Sequence, residues 1–169
     1  AAMFGELLEI AATQIPEGGL QDLVLLLLNR YRDVLLEAFA AKRHHHAFAG
    51  GLLEHTLSVT RNAVFLGERY ADYYPDLTPP LDKGLVVAGA ILHDMGKVRE
   101  LDAGPTGAEY TASGQLIGHI LQGRDLVREA AGEVVIPPDQ LLRLEHIIIS
   151  HQRLPDWGSP KPPMIPEAV

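Results

Sequence analysis

An imidazole, a carboxylate and an ammonium group lie within five residues of one another, at His93, Asp94 and Lys97. They follow an apolar run from Leu85 to Leu92, which contains only apolar and small residues and therefore predicts a buried helix. Ionisable groups at the end of a buried helix lose their hydration, so they need a partner of opposite charge or a metal ion. The His-Asp pair is therefore a candidate metal site.

Further histidines strengthen this interpretation. The chain has eight histidines, and a single histidine on an apolar helix is usually a hydrogen-bonded core residue. Several at the ends and interiors of apolar helices are harder to explain in that way. Neutral imidazole is the commonest metal ligand in proteins, and mixed His and carboxylate sets suit Mn, Fe, Ni or Zn. We expect one or two divalent ions and these ligands: His55, His93, Asp94, His119, His146 and His151.

Other polar residues near these positions have simpler interpretations. Lys97 could neutralise a phosphate group beside the metal site, or it could be a cation favoured by the dipole at a helix C-terminus. His44 is expected to be a solvated loop residue, and Asp102 and Asp156 are expected to be loop and turn carboxylates. Gly96 is expected to end the buried helix in the left-handed conformation.

Helical spacing of apolar residues predicts an all-α protein of about six helices. Breaks rich in proline and glycine separate them. The segment from Asp102 to Glu109 is expected to be a loop, and the proline-rich tail from Leu154 to Pro166 to be extended or looped. In this prediction His119 lies in the middle of its helix. The predicted helices span residues 3–12, 20–42, 52–73, 82–95, 113–131 and 139–151.

Composition limits the class of protein. With 169 residues, 47% hydrophobic and 21% charged, the chain matches one soluble globular domain. It has no cysteine, which excludes disulfides and thiolate ligands. No signal peptide and no apolar run long enough to span a bilayer are visible. We expect a cytoplasmic protein with no membrane partner, and an oligomer is possible.

The net charge of −8 bears on the substrate. A free-standing nucleic-acid binder usually has a basic face, because phosphate neutralisation supplies most of the affinity. The densest basic cluster here is Lys42-Arg43 with the histidines beside it. A nucleic-acid substrate would therefore be held by the site itself or by another module.

Several segments together resemble the HD-domain phosphohydrolases, and most closely the HD domain of YhaM-type 3′-5′ exoribonucleases. The likeness covers about residues 40–168, and its combined motifs are far more specific than a lone HD dipeptide. It implies a helical bundle around a metal site, with residues 1–42 as an N-terminal helical segment and 43–169 as the HD domain. The segments are HHAFAGGLLEHT (45–56), AILHDMGK (90–97), GHI (118–120), SH (150–151) and GSPKPPM (158–164).

The resemblance also implies roles for the residues. His55, His93 and Asp94 would bind a first metal, and His119 and His151, with His146 as a further candidate, would bind a second metal or the substrate phosphate. Lys97 would contact phosphate. The family's last ligand is an Asp that follows the GSPKPPM-like segment. No residue here matches that Asp, so we expect a C-terminally truncated domain. Gln152 stands where the family often has a second His.

The implied chemistry is metal-assisted hydrolysis of a phosphoester, in which a bound ion activates water and polarises a phosphoryl oxygen. Asp94, Lys97 and His119 are the predicted catalytic residues: Asp94 would bridge two ions or orient the nucleophile, and His119 would stabilise phosphoryl charge or protonate the leaving oxygen. The expected substrate is single-stranded RNA or DNA. The alternatives are a nucleotide or small phosphoester, which the acidic charge mildly favours, and a non-catalytic module that binds a metal or ligand.

Overall fold

The computed structural model describes residues 2–37, 51–104 and 107–169. These residues form nine α-helices, one antiparallel hairpin and two short 3-10 helices, Pro155–Trp157 and Pro166–Ala168, so the predicted all-α class is confirmed. The hairpin pairs β1 (Leu101–Gly104) with β2 (Gly107–Tyr110). The helices are α1 (Ala2–Gln14), α2 (Gly19–Arg30), α3 (Arg32–Glu37), α4 (Gly51–Tyr73), α5 (Lys83–Leu92), α6 (Lys97–Glu100), α7 (Ala112–Leu116), α8 (His119–Ala131) and α9 (Pro138–Ser150).

Helix α5 is the centre of the bundle. Only Lys83 and Val86 of this helix are not buried, and its neighbours are α1, α2, α4 and α9. The Asp82 side chain caps its first turn by accepting a hydrogen bond from Leu85 N at 2.9 Å. At Gly89, a Cβ atom would lie 2.6 Å from Cγ2 of Ile147, so only glycine permits this distance between α5 and α9. The central helix is thus capped at its start and packed closely on α9 near its end, where His93 follows.

The N-terminal helices share this core. Leu7 of α1 and Leu23 and Leu27 of α2 are fully buried in the same apolar cluster as Leu85 and Ile91 of α5. The predicted boundary between residues 42 and 43 lies outside the described residues. So do Lys42-Arg43, His44 and the His45–Gly50 part of the family-like segment.

Two predicted helices are divided in the structure. The helix predicted over 20–42 breaks at Tyr31, between α2 and α3, and residues beyond 37 are not described. The helix predicted over 113–131 breaks between α7 and α8, because Gly118 has a φ of 82° that an α-helix cannot contain. As a result His119 is the first residue of α8, and its predicted position in mid-helix was wrong.

Two local predictions were also wrong. The segment from Asp102 to Glu109 is a hairpin rather than a loop, with Leu101 paired to Tyr110. Strands of four residues are too short to show a clear alternation of apolar and polar residues. Gly96 has a φ of −61° and is not left-handed. Glycine is needed there because a Cβ would collide with the carbonyl oxygen of His119, where α6 and α8 approach each other.

The C-terminal residues are tied to the central helix. Glu167, in the last 3-10 helix, accepts a hydrogen bond from Asp82 N at 3.0 Å and pairs with Arg143 of α9 at 2.8 Å. The tail is otherwise irregular, as predicted, apart from its two short 3-10 helices. No helix among the described residues combines the length and the apolar character that crossing a membrane requires.

Candidate metal centre

Four histidines from four helices surround one buried carboxylate, that of Asp94, which is 3% exposed. His55 lies in the second turn of α4, His93 and His151 are the residues that end α5 and α9, and His119 begins α8. Residues far apart in the sequence therefore meet because four helices direct one end each toward the same point. The structure thus brings together five of the six residues that were predicted as ligands.

The ligand atoms form two sets that share Asp94. In the first set, Asp94 Oδ2 lies 3.4 Å from Nε2 of His55 and 3.5 Å from Nε2 of His93. In the second set, Asp94 Oδ1 lies 3.2 Å from Nε2 of His119 and 3.3 Å from Nε2 of His151. Each carboxylate oxygen thus serves one pair of imidazoles, which is the arrangement of a carboxylate that could bridge two cations.

Two of the imidazoles are oriented by backbone carbonyls of their own helix. His93 Nδ1 donates to the carbonyl oxygen of Ala90, and His151 Nδ1 donates to that of Ile148, both at 2.7 Å. A carbonyl oxygen only accepts, so Nδ1 carries the proton in each ring. The Nε2 atoms are then left to present lone pairs toward Asp94 when the rings are neutral.

His119 is oriented by a carboxylate instead. Its Nδ1 lies 3.2 Å from Oε1 of Glu100, and its backbone N–H donates to the same oxygen at 3.1 Å. Glu100 ends α6 and is 8% exposed. The sequence interpretation missed Glu100. Its spacing of three residues from Lys97 could have indicated it, because it places both side chains on one face of a helical turn.

The second set contains polar atoms that nothing in the described residues satisfies. Asp94 Oδ1 and His119 Nε2 are both buried, and neither has a hydrogen-bond partner there. With Nδ1 of His119 protonated, Nε2 and Oδ1 are two acceptors facing each other at 3.2 Å, which is repulsive unless a proton or a metal cation lies between them. The donor set therefore fits a cation, and its nitrogen and oxygen atoms are those that transition metals accept.

The pKa shifts of Asp94 and His119 also indicate that this site favours positive charge. Burial alone would raise the pKa of Asp94, but the charge of His93 and the neighbouring imidazoles of His119 and His151 hold that pKa well below its usual range. Burial would lower the pKa of His119, but Asp94 and Glu100 outweigh it and raise that pKa to about 9. A metal cation would replace the protons at this site.

Lys97 places an ammonium group beside the site. Its Nζ lies 2.8 Å from Asp94 Oδ2, on the side of the first set. Both residues line a cleft of about 460 Å³ together with His55, His93, His151 and Gln152. The cleft gives a ligand access to the first set and to the lysine at the same time.

The remaining predicted positions lie elsewhere. His146 does not join either set: its Nε2 accepts a hydrogen bond from Met164 N at 2.9 Å, and burial lowers its pKa. It stands five residues before His151, a separation of about 140° around a helix, so the two rings cannot face the same point. Asp102 in β1 and Asp156 in the first 3-10 helix are exposed and join neither set.

The family is identified by comparison with known proteins. The sequence profile of the HD domain matches residues 52–169, and the chain belongs to the HD-domain family. The profile includes every member of the two ligand sets.

Comparison with individual proteins shows a likeness to one kind of enzyme within the family. The chain is 42% identical over 142 residues to the 3′-5′ exoribonuclease YhaM of Bacillus licheniformis, covering 84% of this chain and 42% of that protein. It is 40% identical over 155 residues to YhaM of Listeria monocytogenes, covering 92% of this chain and 47% of that protein. The chain thus spans less than half the length of these relatives. No solved structure matches it significantly.

Proposed function

We propose that this chain is a metal-dependent phosphohydrolase that cleaves phosphoester bonds, with a 3′-5′ exonuclease-like or phosphodiesterase activity on single-stranded nucleic acid. The observation that carries the proposal is the division of Asp94 between two histidine pairs, with buried acceptors that face each other. Membership of the HD-domain family and the similarity to exoribonucleases support hydrolysis and a nucleic-acid substrate. We assign residues 43–169 to the HD domain and 1–42 to an N-terminal helical segment.

Two divalent ions are the proposed cofactors. His55, His93 and Asp94 would hold the first ion, and Asp94, His119 and His151 would hold the second. Imidazole and carboxylate ligands suit Mn, Fe, Ni or Zn, whereas an all-oxygen set would suit Mg or Ca. The bound ions would polarise a phosphoryl oxygen and lower the pKa of an attacking water.

The protein's own groups would then position the substrate. Lys97 extends into the cleft and would bind a non-bridging phosphate oxygen as a point charge. Asp94 would fix both ion positions relative to that phosphate. Because Nδ1 of His119 is engaged by Glu100 and its Nε2 points to Asp94, we assign His119 to ion binding rather than to proton transfer.

A nucleotide or another small phosphoester is the second candidate substrate. The net charge of −8 opposes long-range attraction of a polyanion, and the cleft of about 460 Å³ is within the usual range for sites that bind small molecules. We also propose the cytoplasm as the location of the activity, and oligomer formation stays a prediction.

The test compares substrates on one protein. Protein purified without a histidine tag is stripped of metal, reloaded with Mn²⁺, Fe²⁺, Ni²⁺ or Zn²⁺, and given 5′-labelled single-stranded RNA, the matching DNA, free nucleotides and bis-p-nitrophenyl phosphate. Shortening of the oligonucleotide from its 3′ end would support the exonuclease activity, and cleavage of nucleotides alone would favour the second candidate. Failure to retain any ion and to cleave any substrate would refute the proposal.

A further inference from the structure

We propose that Glu100 is a positioning residue that fixes the tautomer and orientation of His119 and thereby sets the ion affinity of the second set. The inference rests on the proposed function, because it assumes that Asp94, His119 and His151 hold an ion. It adds a residue that neither the metal-site motif nor the ligand sets contain.

The geometry requires a defined protonation of the His119 ring. Glu100 Oε1 accepts from the backbone N–H of His119 at 3.1 Å and lies 3.2 Å from Nδ1. A carboxylate oxygen only accepts, so the contact with the ring is favourable when Nδ1 carries a proton. Nε2 then directs its lone pair at the point shared with Asp94 Oδ1, 3.2 Å away. The other tautomer would direct a proton there and would block an ion.

Glu100 is held in place independently of His119. Its carbonyl oxygen accepts a hydrogen bond from Thr111 N at 2.9 Å, and the Thr111 hydroxyl donates to the carbonyl of Arg99 at 2.8 Å. The same hydroxyl accepts from Gly114 N at 2.9 Å. A Cβ at Gly114 would collide with the Glu100 carbonyl, so α7 packs directly on this residue. The backbone that carries the carboxylate is thus fixed by contacts that do not involve His119.

The position of His119 explains why it needs such a partner. His93 and His151 end their helices, and each uses the carbonyl three residues earlier in its own helix. His119 begins its helix, and the residue three positions earlier lies in α7, beyond Gly118 with its φ of 82°. The ring uses the neighbouring α6 instead. A carboxylate partner makes an imidazole a stronger ligand than a neutral carbonyl does.

The experiment compares Glu100→Gln and Glu100→Leu with a matched control, Glu129→Gln. Glu129 is an exposed carboxylate of α8 that pairs with Arg99, next to Glu100 in the chain, and it touches no ligand. Mn²⁺ binding to metal-stripped protein is measured by equilibrium dialysis. Long-range ¹H–¹⁵N NMR of Zn²⁺-loaded protein shows which nitrogen of His119 keeps its proton.

We expect wild type and Glu129→Gln to bind two ions, with Nδ1 of His119 protonated. Glu100→Leu should weaken one of the two binding steps by about ten- to a hundredfold and lose the single tautomer. Glu100→Gln, whose amide oxygen still accepts, should keep the tautomer and lose less affinity. Retention of the tautomer in Glu100→Gln but not in Glu100→Leu would distinguish positioning of the His119 ring from a purely structural role of Glu100.

Three outcomes would overturn the inference. Unchanged affinities and an unchanged tautomer in Glu100→Leu would show that the carboxylate is not needed. Equal weakening of both steps in both variants, with lowered unfolding temperatures, would show a structural role. If wild type binds no ion at all, the proposed function itself fails and takes the inference with it, whereas the first two outcomes leave the proposed function intact.

Discussion

The two ligand sets share one carboxylate but differ in the charged groups beside it. In the first set, the side chains of His55 and His93 are 32% and 11% exposed, and Asp94 Oδ2 also pairs with Lys97. In the second set, the side chains of His119 and His151 are 16% and 12% exposed. The carboxylate of Glu100 contacts the His119 ring on the side away from Asp94. The first set therefore has one more open histidine and an added cation, whereas the second set has an added anion.

This difference predicts a division of labour. A negative charge added beside a buried site favours the binding of a cation there. A positive charge added beside a site disfavours cation binding. We therefore expect the second set to hold its ion more tightly, and the first set to exchange its ion and to meet the substrate phosphate. Single substitutions at the shared carboxylate, the histidines, Lys97 and Gly114 should reveal that asymmetry.

Asp94→Asn should remove the feature that both sets share. The amide keeps the shape but loses the charge and one acceptor oxygen, so both ions should be lost, and hydrolysis should fall by more than about a thousandfold. Ion content by elemental analysis and turnover of bis-p-nitrophenyl phosphate are the measurements. Circular dichroism serves as the control for folding. Retention of both ions would contradict the bridging role of Asp94.

His119→Ala and His55→Ala should differ in their effect on ion retention. After dialysis, His55→Ala should keep about one ion per chain, because the second set is intact, whereas His119→Ala should keep much less. Both should lose most of their hydrolytic activity. The same residual ion content in the two variants would remove the proposed difference between the sets.

Lys97→Met should separate ion binding from hydrolysis. Without the ammonium group, Asp94 Oδ2 loses a competing cation, so the first ion should bind more tightly or equally well. The phosphate loses a contact, so hydrolysis should fall by about ten- to a hundredfold. Mn²⁺ dialysis and steady-state kinetics measure the two effects. A loss of ions in this variant would show that Lys97 supports the site instead of competing within it.

Gly114→Ala should disturb the second set without changing any ligand. The added methyl would press on the Glu100 carbonyl, at a cost of about 1–3 kcal/mol in unfolding free energy. The second ion should bind more weakly and the first should not change. Gly5→Ala is the matched control, because a Cβ there meets nothing within 4 Å. Chemical denaturation and ion dialysis check both, and an effect on the first ion alone would refute the link through Glu100.

Local patterns were sufficient to predict the helices that carry the first set. The apolar run before His93 and the long amphipathic stretch after Gly50 predicted helices close to α5 and α4, because burial of a continuous face leaves a clear periodicity. The HD pair followed from its position at the end of the buried run. The family suggested by the combined motifs is confirmed by the profile match.

Features that depend on contacts between helices could not be predicted in this way. Gly118 was predicted to lie inside a helix and Gly96 to end one, yet Gly118 divides its helix by its positive φ and Gly96 permits α6 to touch α8. Glu100 acquires its role only because that contact brings α6 to the start of α8. For His146 the sequence was sufficient: five residues on a helix separate it from His151, which should have argued against a shared ion.

The central claim is that Asp94 divides its two oxygens between two ions. Anomalous X-ray diffraction from crystals soaked in Mn²⁺ tests it most directly. We predict two anomalous peaks, one between Asp94 Oδ2, His55 and His93 and the other between Asp94 Oδ1, His119 and His151, with the second peak the more persistent as the Mn²⁺ concentration is lowered. A single peak bound by neither oxygen of Asp94, or no peak at saturating Mn²⁺, would contradict the account.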